Sequence, residues 1–173
     1  MWGRDSLSGK ERNRLFLNHG GTAFSDISLV SGADHLADGR SVCVLDFDRD
    51  GHQDLAVINV NSPKLLLYRN EKPAPEHHWI KIRLVGSNQR AQASPTASNR
   101  NGYGAFLRYQ LGSKTLAHEH RCGEGFSAQN SSLIHLGLGS AEKIDHLQIR
   151  WPSGKTQSWE NLAADQVHLL REE

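Results

Sequence analysis

The sequence predicts an all-β fold in two parts, a blade-like unit of short strands followed by a β-sandwich or barrel. Three observations carry this. Apolar residues fall in short alternating runs, separated by Gly, Pro, Asn and Asp turn signals at about 8- to 12-residue spacing. Four aspartates lie within nine residues, Asp46-Phe47-Asp48-Arg49-Asp50-Gly51-His52-Gln53-Asp54, between two apolar, β-branched runs. And Leu15-Phe16-Leu17-Asn18 is echoed 52 residues later by Leu67-Tyr68-Arg69-Asn70, which frames one complete set of short strands, as in a propeller blade.

In chain order, residues 1–12 are polar and aperiodic and read as a loose leader. A first unit is expected over 13–72. Its strands are Asn13–Asn18, Phe24–Val30, Ser41–Leu45, Leu55–Val60 and Lys64–Asn70, with turns at His19–Thr22 and Ser62-Pro63 and a Gly- and Asp-rich loop over Gly32–Arg40.

The aspartate stretch has the spacing of a calcium loop. Positions 1, 3, 5 and 9 are Asp46, Asp48, Asp50 and Asp54, position 7 is His52 acting through its carbonyl, and Gly51 stands at the sharp turn. Four like charges this close repel unless a cation sits among them, and Arg49 is too peripheral to replace one. An EF-hand is excluded because position 12 is Val57 and both flanks read as strands. The bland alternative is a solvated acidic turn.

Glu71–His78 is rich in Pro, His and charge, and a linker is expected over 73–78. The second domain, 79–173, opens with the alternating strand Trp79–Val85. A polar loop covers Gly86–Asn101. Further strands are expected near Gly102–Leu111, Thr115–Arg121, Ser132–Gly139, Ile144–Trp151, Thr156–Trp159 and Gln166–Arg171, with at most one helical turn near Glu160–Asp165.

The run Asn13–Asn70 resembles an FG-GAP or VCBS-type repeat, carried by Gly39-Arg40 and the aspartate loop, although the literal Phe-Gly…Gly-Ala-Pro cassette is missing. The second half resembles the ASPIC/UnbV domain of cartilage acidic protein-like families and their bacterial relatives. The blocks behind this are Asn99-Arg100-Asn101-Gly102-Tyr103-Gly104-Ala105, Gly123–Gln129, His135–Gly139, Ile144–Leu147, Trp151–Gly154 and Asn161. The resemblance implies calcium binding and an extracellular, periplasmic or cell-surface location, and no established enzymatic activity. One blade cannot bury both its faces, so missing propeller blades or self-association are expected, and the chain reads as the C-terminal piece of a longer secreted protein.

Net charge is +1 with ten His, which gives no case for nucleic acid or a charged membrane surface above about pH 6.5. No apolar run has transmembrane length, and Met1-Trp2-Gly3-Arg4-Asp5 is no signal peptide. Cys43 and Cys122 form no zinc or disulfide pattern. Leu116, His118, His120 and Cys122 share a strand face, either as a zinc or copper site or as two partly exposed imidazoles and a thiol. Asn99, Arg100 and Tyr103 form the candidate ligand-binding loop, against the alternative that its glycines serve only backbone geometry. No Gly-x-Ser-x-Gly elbow occurs, and the Gly123/Gly125 pair lacks a third glycine and a βαβ context. The expected function is a calcium-stabilised, non-enzymatic extracellular recognition or adhesion module with a protein or glycan partner. The alternative is an accessory component of a glycan-active or natural-product biosynthetic enzyme system.

Overall fold

The computed structural model describes residues 11–71 and 76–173. The regular secondary structure of the described residues is almost entirely strand, and the chain divides into two compact units. The first ends at Glu71 and also takes in Gly125–Gln129; the second comprises the remainder. The expected leader over 1–12 falls outside the described residues except for Glu11 and Arg12. The expected linker is described only from Glu76, and His78 within it is already the first residue of a strand.

In the first unit, β1 (Phe16–Asn18) and β2 (Phe24–Asp26) form an antiparallel hairpin. The strand expected over Phe24–Val30 stops at Asp26. The Asp26 carboxylate accepts the N–H and the hydroxyl of Ser28, a local turn that competes with strand pairing, and Ser28–Ser31 closes into one helical turn, α1. Gly32 ends α1 in the left-handed region at φ 72°.

The blade-like sheet is β3 (Gly39–Leu45), β4 (Asp54–Asn59) and β5 (Leu65–Tyr68), all antiparallel, with β4 in the middle. Register puts Val42, Val44, Leu55, Val57, Leu66 and Tyr68 on one face, and Cys43, Ala56 and Leu67 with Ile58 and Leu65 on the other. Both faces are therefore apolar. A cavity of about 450 Å³ lies over the first face, with Leu15 and Ala33 in its wall. The thiol of Cys43 lies 3.2 Å from the carbonyl of Gln129, within the same unit.

The second unit is a two-layer sandwich. One layer has the order β11 (Thr156–Ala163), β10 (Lys143–Arg150), β7 (Phe106–Leu111), β8 (Lys114–Glu119). The other has β12 (Val167–Arg171), β6 (His78–Val85), β9 (Leu133–Gly139). Inward-facing Ile80, Ile82, Leu107, Leu147, Ile149 and Trp151 are fully buried between the layers. The helical turn expected near Glu160–Asp165 is absent. β11 runs to Ala163, with Asn161 and Asp165 taking left-handed conformations instead. The pairing of β12 with β6 is parallel.

Candidate functional site

The bend between β3 and β4 gathers carboxylates. One oxygen from each of Asp46, Asp48 and Asp50 lies within 4.8 Å of the others. Local hydrogen bonds set this geometry. Asp46 Oδ2 accepts the N–H of Gly51 at 2.9 Å, Asp48 Oδ1 accepts that of Asp50 at 3.3 Å, and Asp50 Oδ1 accepts that of His52 at 2.8 Å. Two residues turn the chain in the left-handed region, Arg49 at φ 66° and Gly51 at φ 91°. The second needs no tolerance for a side chain, which is why glycine stands there.

Asp54 is placed differently from its three partners. It is only 1% exposed. Its Oδ2 accepts the N–H of Phe47 at 3.1 Å and its Oδ1 that of Asn70 at 2.8 Å. One carboxylate thus ties the start of the bend to the end of β5, across all three strands. It is not a member of the convergent group of three.

The cation beside the cluster is Arg69, not Arg49. Its Nε lies 2.6 Å from Asp48 Oδ2 and its Nη2 lies 3.6 Å from Asp50 Oδ2. The Asp48 charge holds the guanidinium above its ordinary pKa. Sequence spacing hid Arg69, because it reaches the bend through the pairing of β4 with β5. The echo that places Arg69-Asn70 at the strand end was the available signal.

The donor set is hard oxygen throughout, and its turn is fixed by backbone N–H groups. That chemistry fits a divalent cation of the calcium type and not a thiolate- or imidazole-seeking metal. Among the described residues, this is the one group of three or more metal-ligating side chains so gathered. His118, His120 and Cys122 do not converge as a group of three. β8 stops at Glu119, Cys122 is an exposed free thiol, and His120 is buried with its ring stacked 4.6 Å from that of Tyr103. Burial pushes the imidazoles of His118 and His120 below their ordinary pKa.

In the candidate binding loop, Asn99 is occupied with the loop itself. Its amide donates to the Tyr103 carbonyl at 2.7 Å and its side-chain oxygen accepts the Tyr103 N–H at 2.9 Å. Tyr103 stacks on His120, while Arg100 is exposed. Gly102 sits at φ +66°, where an added Cβ would come within 2.8 Å of Leu84 Cβ. Backbone geometry and packing account for this glycine.

A second charged centre went unread in the sequence. Glu172, 7% exposed, accepts hydrogen bonds from the N–H and hydroxyl of Ser87, the N–H and hydroxyl of Ser98, and the hydroxyl of Ser153. Burial alone raises its pKa, but the serine donors outweigh this and hold it at about 2. Three loops are thereby fastened to the chain end after β12. Serines scattered over 66 positions carry no local pattern that would announce this.

A blade-like β unit with an acidic hairpin bend, followed by a β-sandwich, is the architecture of a repeat joined to a second β module. Residues 5–57 match the family model of an FG-GAP-like repeat, and residues 95–173 match that of ASPIC and UnbV. The two matches fall in that order along the chain, an FG-GAP-like repeat ahead of an ASPIC and UnbV region. A comparison with curated proteins gives no match.

Proposed function

We propose that this chain is a calcium-stabilised recognition module of the extracellular type, and that it is not an enzyme. The observation that carries the reading is the convergence of Asp46, Asp48 and Asp50 on one β-hairpin bend. In this reading these three side chains hold Ca²⁺, the His52 carbonyl contributes a further oxygen, and Asp54 fixes the bend from beneath without joining the ligand set. The ion supplies charge neutralisation and cross-links the ends of β3 and β4. Its role is structural, since the ligands belong to one tight bend.

Packing supports a dependence on neighbours. Of sixteen exposed large apolar side chains among the described residues, thirteen belong to the first unit, whose only buried apolar residues are Ala33 and Ala37. A sheet apolar on both faces without a core of its own is what a blade requires of flanking blades or of a second copy. Among the described residues no helix is long and apolar enough to cross a membrane. FG-GAP repeats are typically extracellular, which supports that location for this chain.

The test is a thermal melt with calcium and with excess chelator, alongside a calcium titration by calorimetry. The reading requires a higher Tm with calcium and saturable binding near one ion per chain. An unchanged melt and a flat titration would overturn it.

A further inference from the structure

The outer face of the four-stranded layer has no assigned role. Register and exposure place Phe106, Arg108 and Gln110 of β7 on it, beside Gln148 and Arg150 of β10 and Ser158 of β11. Arg150 pairs directly with Phe106, and its guanidinium carbon lies 5.8 Å above that ring. The ring therefore supports the cation and limits its rotamers. Arg108 pairs with Gln148 on the neighbouring strand, one diagonal step from Arg150. Both arginines are exposed.

The acidic side chains of this face are engaged elsewhere. Glu119, at its β8 edge, lies 2.6 Å from Arg121, and Glu160, on β11, lies 2.6 Å from His146 Nδ1. Across β7, β10 and the β11 position facing Gln148, this face thus presents two guanidinium groups, two primary amides and a hydroxyl, while its carboxylates Glu119 and Glu160 are held by Arg121 and His146. A protein interface would need a central apolar anchor, and Phe106 is covered by Arg150. A nucleic acid would need a longer basic track than two arginines on a chain of net charge +1.

We propose that this face binds an acidic polysaccharide. The two guanidinium groups take carboxylate or sulfate oxygens in bidentate fashion, while Gln110, Gln148 and Ser158 hydrogen-bond ring hydroxyls. The hydrogen-bonded register of β7, β10 and β11 sets the spacing of these donors in advance, so little ordering accompanies binding. The proposal rests on the recognition reading given above but not on calcium.

Affinity electrophoresis of the full chain, with calcium in excess, tests it. The gels carry polygalacturonate, a sulfated dextran, or neutral dextran. Retardation is expected in one or both acidic gels and not in the neutral one, which separates carboxylate from sulfate as the group recognised. Arg108→Ala/Arg150→Ala should weaken retardation at least tenfold. Arg83→Ala/Arg171→Ala removes the same charge from the other layer and should leave it unchanged. The melt of each variant reports whether it is folded. Absence of retardation in both acidic gels, equal retardation in neutral dextran, or equal loss in both double variants would each overturn the proposal. The calcium response of the wild-type melt is read separately, so failure here is distinguishable from failure of the metal reading.

Discussion

Arg69 lays its Nε 2.6 Å from Asp48 Oδ2 and reaches on toward Asp50 at 3.6 Å, so the residue just past β5 supplies the counter-charge for a bend built by β3 and β4. The side chain is half exposed, so solvent screens the pair and its direct contribution to stability is small. Its larger effect falls on the charge balance of the bend. Replacing Arg69 with Ala leaves Asp46, Asp48 and Asp50 to repel without relief when no ion is present. The expected outcome is a lower Tm in chelator than wild type and a wider gap between the calcium and chelator melts.

Asp54 and Asp50 separate scaffold from ligand. Asp54 is buried and accepts two backbone N–H groups, from Phe47 and Asn70. Asp54→Ala would strand both donors, each at about 1–3 kcal/mol. Destabilisation is expected with or without calcium. Asp50 is exposed; it accepts one backbone N–H, from His52, and has only a long, screened contact with Arg69 at 3.6 Å. Asp50→Ala should leave the chelator melt within about 1 kcal/mol of wild type and abolish the calcium response. Urea titrations under both conditions measure the difference.

How much of this was legible in the sequence depends on the range of the interaction. The strands of the sandwich, the acidic bend and the turn glycines are local, and alternation or spacing exposed them. Phe24–Val30 misled because its apolar pattern continues past Asp26, while the carboxylate of that residue turns the chain through Ser28. Glu160–Asp165 misled in the opposite sense, since cross-strand pairing of β11 with β10 overrode its helical composition. Arg69 and Glu172 each act on residues brought near by strand pairing or loop docking, so only the strand-end echo hinted at the first and no local pattern at the second.

Glu172 makes the sandwich acid-sensitive in a defined window. Its folded pKa, about 2, lies below its ordinary value of 4.5. The native state therefore binds this proton less readily than the unfolded chain. The stabilisation is fully present above about pH 4.5 and is lost as pH falls toward about 2. Glu172→Gln should lower the Tm at neutral pH, since an amide offers one acceptor oxygen to five donors. It should also flatten the dependence of Tm on pH between those limits. A variant as acid-sensitive as wild type in that window would place the sensitivity in another group.

Gly102 combines backbone and packing demands that no other residue meets. At φ +66° a side chain is strained by about 1–2 kcal/mol. Its added Cβ would also meet Leu84 Cβ at 2.8 Å and Trp151 Cζ3 at 3.3 Å, both belonging to core side chains held on several sides. Overpacking of this kind costs about 1–3 kcal/mol more. Gly104 offers an internal comparison. It too has positive φ, +94°, but the nearest atom to its added Cβ is Pro152 Cγ at 3.6 Å, an ordinary contact. Gly102→Ala should therefore destabilise the protein clearly more than Gly104→Ala, with the difference reporting the packing against Leu84 and Trp151 alone. Paired denaturant melts at one pH, in calcium throughout, give that difference directly, and equal losses would mean that backbone strain accounts for both.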